Sequence, residues 1–219
     1  HEFGHYIFSK IHRVPASLPL FIPRPPHLIG TFGAIIRMRS PIYNRRALFD
    51  IGVAGPICGF LVAVLALIIG LLRSTVGVDD RIYNLNFGEP LLLKMLVWVI
   101  YGPIPQNHML YADPMVVAAW TGLFITALNL IPIGQLDGGH VVYALFGSRH
   151  RYFVFASFLI LLFLGVFYGW HGWFIWAGLA GIIGFSHPPV VDPQAVLGKG
   201  RVWVAWATVG IFILCFVPV

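Results

Sequence analysis

Four stretches of this chain run without a single Asp, Glu, Lys or Arg: Ile51–Leu72, Pro114–Leu136, Tyr152–Val191 and Val202–Val219. Backbone polar groups in lipid must be paired within their own segment, so uncharged apolar runs of about 20 residues fold as membrane-crossing helices. Runs of 22, 23 and 18 residues suit one crossing each, and the 40 residues of the third suit two, with a turn near Gly169–Gly172. Five spanning segments are therefore expected, with a sixth helix from His1 to about Ile11 entering incomplete. Composition agrees: 58% of the 219 residues are hydrophobic, 10% are charged, and the mean hydropathy is +0.85. So few charges cannot cover the surface of a soluble domain, and so much apolar side chain excludes a disordered one. The fold class read from this is an all-α polytopic membrane protein.

The net charge of +6 would suggest nucleic acid in a soluble chain. Here the basic residues lie between apolar runs, where they set topology and meet anionic headgroups. The segment Leu91–Tyr111 is apolar but holds Lys94, Gly102, Pro103, Pro105 and His108. If it does not span, Lys10, Arg13, Arg24, Arg37, Arg39, Arg45, Arg46, Arg149, Arg151, Lys199 and Arg201 share one side, against Arg73, Arg81 and Lys94 on the other. If it does span, the last four of the first set change sides and the asymmetry nearly vanishes. The non-spanning arrangement is expected, with the basic side cytoplasmic or its equivalent.

Pro15–Pro41 carries six prolines, together with Gly30 and Gly33, and cannot be one helix. Leu28–Met38 within it is apolar and strand-like. Extended backbone at membrane depth is tolerated only when buried in protein or lining water, so a re-entrant β-like hairpin over about 25–41, beside a wet cavity, is expected.

His1-Glu2-Phe3-Gly4-His5 is an H-E-x-x-H sequence. On a helix, residues i and i+4 share one face about 6 Å apart along the axis, which lets both imidazoles reach one zinc ion. Glu2 is then placed to take a proton from activated water. Alone, five residues leave open a chance helical motif with ordinary histidines. A catalytic zinc needs a third protein ligand. Asp137 is the only carboxylate between Asp113 and Asp192. It either completes the metal site or caps a helix beginning at Gly138. Asn129, in Asn129-Leu-Ile-Pro132-Ile-Gly-Gln-Leu-Asp137-Gly138, could donate to a scissile carbonyl oxygen or make a helix-to-helix bond.

The pair H-E-x-x-H and N-x-x-P-x-x-x-x-D-G, both in apolar surroundings, resembles the site-2 protease family of intramembrane zinc metalloproteases. The resemblance covers roughly His1–Leu145, the family's three-helix catalytic core. It implies one zinc ion per chain held by His1, His5 and Asp137, with Glu2 as acid/base. The family's glycine-containing extended element after the first motif is similar to Gly30-Thr31-Phe32-Gly33-Ala34, which it implies to be substrate-binding. The short external loop matches forms without a PDZ insertion, and His187-Pro188-Pro189 is similar to a stretch of the plant-plastid and cyanobacterial branch. On this basis residues 1–148 are expected to form the protease membrane core and 149–219 additional transmembrane helices, about three in number. The family's first helix continues upstream of the motif, so the chain reads as part of a longer protein. Membrane-anchored proteins are the implied substrates and the lipid bilayer the implied surroundings. No nucleic-acid or nucleotide site is seen.

Other residues are assigned plainer roles. His12, His27, His108 and His150 are expected to be solvated, and His140 to be either a support of the metal site or an ordinary helix residue. Trp170, Trp173 and Trp176 are expected to anchor at the interface, and Cys58 and Cys215 to pack. A serine hydrolase is excluded because no G-x-S-x-G is present. A zinc transporter would need polar residues along successive spans, and an inactive scaffold would be expected to have lost Glu2 or a ligand. Neither fits as well as a protease.

Overall fold

The computed structural model describes residues 1–23, 31–78, 88–167, 172–184 and 187–216. It is mostly helical, with two small two-stranded antiparallel sheets. Among the described residues three helical stretches are long and apolar enough to cross a membrane: Arg45–Arg73, Asp137–Phe167 and Gly198–Cys215. The chain divides into two compact units, His1–Cys58 with Asn129–Thr208, and Gly59–Leu128 with Val209–Val219.

The first unit opens with helix α1 (Glu2–Ile11), which buries Gly4, His5 and Ser9 on one face. Strands β1 (Leu20–Pro23) and β2 (Thr31–Ile35) follow as a hairpin, with Leu20 opposite Ile35 and Phe21 opposite Ala34. An Ala16–Met38 bridge continues the pairing beyond the strands. The hairpin therefore starts earlier than the expected 25, because Leu20–Pro23 pairs with β2 as its first arm. Gly30 lies outside the described residues.

Helix α2 (Arg45–Arg73) begins in this unit, and Ala47 N–H donates to the Asn44 side chain at its start. Helix α5 (Asp137–Phe146) leads through a 3-10 turn to α6 (His150–Phe167). Helices α7 (Gly172–Ile183) and α8 (Gly198–Cys215) complete the described helices of the C-terminal part. Leu48, Phe49, Val53, Val141, Tyr143, Ala144, Val190, Leu197 and Ala205 form the core.

The second unit holds the rest of α2, β3 (Thr75–Val78), α3 (Leu91–Tyr101), β4 (His108–Tyr111) and most of α4 (Pro114–Leu130). Its core is Ala63, Leu67, Leu71, Val116, Ala119, Leu123, Ala127 and Cys215. The 11 residues of α3 rise only about 16 Å, too short for a crossing, in keeping with a non-spanning Leu91–Tyr111.

The run Pro114–Leu136 breaks as Pro132 requires: α4 stops at Leu130, two residues before it, and residues 131–136 form a turn. Several expectations need correction. Trp173 is 3% exposed and packs inside the first unit, whereas Trp203 and Trp206 on α8 are exposed apolar surface suited to lipid. His12 is not solvated but pairs with Asp50 at 2.8 Å, and His150 is buried. His108 is exposed as expected, and His27 lies outside the described residues. Arg45 and Arg46 are more than topology signals. Arg45 forks onto the Ala144 and Leu145 carbonyls at the end of α5, both at 2.7 Å, and Arg46 donates to the Val196 carbonyl.

Candidate metal centre

His1 and His5 lie four residues apart at the start of α1, so their rings leave the same face of the helix. Their Nε2 atoms are 3.1 Å apart. Asp137 closes a triangle with them. Its Oδ2 is 3.0 Å from His1 Nε2, and its Oδ1 is 3.3 Å from His5 Nε2. Atoms that bind one tetrahedral ion at about 2.0–2.1 Å stand about 3.3 Å from each other, so this triangle has the size of three zinc ligands.

The protonation pattern supports the same reading. His5 Nδ1 lies 2.8 Å from the Ile51 carbonyl, which can only accept, so Nδ1 carries the hydrogen. Nε2 of a neutral His5 is then a lone pair, and it faces a carboxylate oxygen. Beside them His1 Nε2 completes the triangle, while His1 Nδ1 is buried without a hydrogen-bond partner among the described residues, and nitrogen and carboxylate atoms so placed suit a cation. Among the described residues this is the one cluster of histidine and carboxylate groups close enough to hold a metal ion.

The turn between α4 and α5 delivers Asp137. Pro132 ends α4, Gly134 adopts a left-handed φ of 48°, and Leu136 N–H donates to the Ile133 carbonyl. Helix α5 starts at Asp137 itself, and its cap residue Leu136 makes no side-chain cap bond. Asp137 is therefore a first-turn residue whose carboxylate turns to the histidines, while the nearby helix N-terminus favours its charge. Gly138 and Gly139 have no room for a side chain. A methyl group there would overlap the carbonyls of Leu130 and Gly134.

The seat of the histidines is α2. A methyl group at Gly55 would overlap the His5 ring, and one at Gly52 would meet His140 Cβ at 3.1 Å. Neither glycine was singled out from sequence. The available signal was the cluster of small residues Gly52, Ala54 and Gly55 within an apolar helix, the composition that lets helices approach closely.

The triad opens on a cavity of about 560 Å³ lined by Glu2, Asn129, His140 and the segments 36–42 and 187–190, among others. Asn129 Nδ2 lies 3.4 Å from His1 Nε2, near enough to reach a group bound at the triad. Thr31, Phe32, Gly33 and Ala34 lie on β2, and the described lining of the cavity from this part of the chain begins at Ile36. His187, which the sequence marks only as part of a His-Pro-Pro stretch, also belongs to the site. Its Nε2 is 2.6 Å from His140 Nδ1, and its ring stacks on Tyr143 at 4.2 Å. Burial pushes the His187 imidazole below its usual range.

Comparison with known proteins gives the family. The profile of peptidase family M50 matches residues 1–168. The "probable zinc metalloprotease EGY1, chloroplastic" of Oryza sativa subsp. japonica is 34% identical over 174 residues, covering 77% of this chain and 30% of the relative. The "probable zinc metalloprotease EGY2, chloroplastic" of Oryza sativa subsp. indica is 34% identical over 151 residues, 68% of this chain and 27% of its own length. The Arabidopsis thaliana EGY1 protein, named likewise, is 34% identical over 154 residues, 68% of this chain and 28% of the relative. The chain thus spans under a third of the length of these relatives. No solved structure matches it.

Proposed function

The chain belongs to peptidase family M50, and from that premise we propose that it is the membrane core of an intramembrane zinc metalloprotease of the site-2 type. The observation that carries this reading is the triangle of His1, His5 and Asp137 acceptor atoms, with Glu2 lining the same cavity. His1, His5 and Asp137 would hold one zinc ion per chain. Zinc bound there supplies Lewis acidity that polarises a peptide carbonyl and makes water acidic enough to lose a proton near neutral pH. Glu2 takes that proton and passes it to the leaving amine. Asn129 donates its amide hydrogen to the developing oxyanion.

Substrates in this reading are transmembrane segments of membrane-anchored proteins. A helix in lipid hides its carbonyls in its own hydrogen bonds, so cleavage requires local unwinding. Strand β2 from Thr31 to Ala34 and the chain after it offer backbone groups with which an unwound segment can pair as an added strand. The basic loops and the end of α1 face the cytoplasm or its equivalent, the side from which water reaches the centre.

The test is metal content and cleavage measured together on the full-length protein in detergent, as wild type and Glu2→Gln. One zinc per chain is expected in both. Cleavage of a transmembrane peptide with a central Asn-Gly pair is expected in wild type only, and to be lost with a chelator. Cleavage that survives Glu2→Gln or complete zinc removal would overturn the proposal.

A further inference from the structure

The cavity contains a second polar feature that the hydrolytic steps leave idle. His140 Nδ1 on α5 and His187 Nε2, on the segment after α7, are 2.6 Å apart. Two ligands of one tetrahedral ion would stand about 3.3 Å apart, so this pair shares a hydrogen, not a metal. Its direction is fixed by the next bond in the chain. His187 Nδ1 lies 2.6 Å from the Pro188 carbonyl, which can only accept, so Nδ1 is the protonated nitrogen of His187. Burial disfavours the charged form of that ring. His187 Nε2 is then a lone pair, and His140 Nδ1 must donate to it. Among the described residues no carboxylate is hydrogen-bonded to His140, so a buried charge there would go uncompensated. A neutral His140 therefore carries its own lone pair on Nε2, which meets no hydrogen-bond partner among the described residues.

The pair is held firmly. Tyr143 stacks on His187 with the ring planes 15° apart. A few residues on, Asp192 N–H donates to the Tyr43 carbonyl at 2.7 Å, so the segment Pro188–Val190 that lines the cavity is tied at both ends. The cavity's carboxylates already have work: Asp137 at the triad and Glu2 with the water proton. Yet an unwound peptide entering it brings unpaired main-chain N–H groups, each costly to leave without an acceptor.

We infer that His140 Nε2 accepts a main-chain N–H of the bound substrate, and that His187 is the positioning residue that fixes His140 in the tautomer able to do so. The inference rests on the protease reading and extends it to how substrate is held.

The experiment uses the zinc-loaded full-length protein carrying Glu2→Gln, which binds without cutting. The probe is a fluorescent polyleucine transmembrane peptide with a central Asn-Gly pair, together with analogues N-methylated at one central position each. One analogue is expected to bind about 5–10-fold more weakly, the loss of one hydrogen bond. That penalty should vanish in His140→Phe and in His187→Phe, which keeps the stack on Tyr143, and return in part in His187→Gln, whose amide oxygen can accept. Zinc content should not change in any of them. In ¹⁵N spectra of histidine-labelled protein, His140 should show a protonated Nδ1 and a bare Nε2. The opposite tautomer, a penalty that persists in His187→Phe, or loss of zinc in that variant would overturn the inference while leaving the protease reading intact. Absence of both zinc and peptide binding in the starting protein would overturn both.

Discussion

His5 donates its Nδ1 hydrogen to the Ile51 carbonyl over 2.8 Å, and this bond joins α1 to α2 beside Gly55, where the ring lies against the helix. The bond sets the tautomer that leaves Nε2 free for a metal, and Gly55 leaves the space in which the ring lies. Gly55→Ala should therefore displace the imidazole and weaken zinc binding about 10–100-fold, as loss of ligand support does elsewhere. Helix propensity works against this outcome, since Ala in a helix interior is favoured over Gly by roughly 0.5–1 kcal/mol. Gly181→Ala is the control, because a methyl group there meets nothing within 4 Å. Competition with a zinc chelator measures both affinities, and equal values for the two variants would sink the argument.

The triangle of acceptor atoms also predicts a link between metal and stability. Its edges of 3.0, 3.1 and 3.3 Å have the size of a set of zinc ligands. Zinc at 100 times its Kd should stabilise the folded protein by about 2.7 kcal/mol, and chelation should remove that gain. Thermal unfolding in detergent is the measurement. Glu2→Gln should keep the zinc-dependent rise in Tm and Asp137→Ala should lose it. A rise that persists in Asp137→Ala would place the ion elsewhere.

The part of this architecture legible in the sequence is the part that follows from local pattern. Uncharged runs mark α2 and α8, and the spacing of His1 and His5 marks one helix face. The Pro132-to-Gly139 stretch marks a break that ends on Asp137. What was not legible depends on which helices meet. Nothing near Asp50 announces that it takes Arg201, 151 residues away, or that His12 joins them. The pairing of His140 with His187 is equally remote in sequence, and from sequence His187 was read only as part of a family-like His-Pro-Pro stretch. The Gly52 and Gly55 contacts are intermediate. Small residues in an apolar helix signal close approach, but not that the approaching group is a metal ligand.

Asn129 lies at the end of α4 with its amide 3.4 Å from His1 Nε2, beside the triad but not part of it. Its proposed task arises only when charge develops on the substrate oxygen. Asn129→Ala should lower kcat by about 10²–10³-fold while KM and zinc content change little. Steady-state kinetics on the peptide substrate, with zinc assayed on the same preparation, decides it. A drop in zinc parallel to the drop in kcat would make Asn129 a support for His1 instead.

Asp50 gives the most distant handle on the centre. Arg201 grips its carboxylate with two bonds, Nε to Oδ1 at 2.8 Å and Nη2 to Oδ2 at 2.6 Å, and His12 Nε2 meets Oδ2 at 2.8 Å. One side chain thus ties the end of α1 and the start of α8 to the turn of α2 that presents Ile51 to His5. Asp50→Asn replaces an acceptor oxygen with an amide that faces donors, so it should cost more than the loss of one bond. A loss of about 1–3 kcal/mol is expected, toward the lower end because all three groups are partly exposed. Asp50→Glu should recover part of it. In a double-mutant cycle, Arg201→Ala should cost little more once Asp50 is already Asn, a coupling of about 0.5–3 kcal/mol. Because α1 carries the motif, zinc affinity should fall in the same order as Tm across these variants. If Tm falls while zinc affinity holds, the Asp50 tie supports the fold without setting the register of α1 on α2.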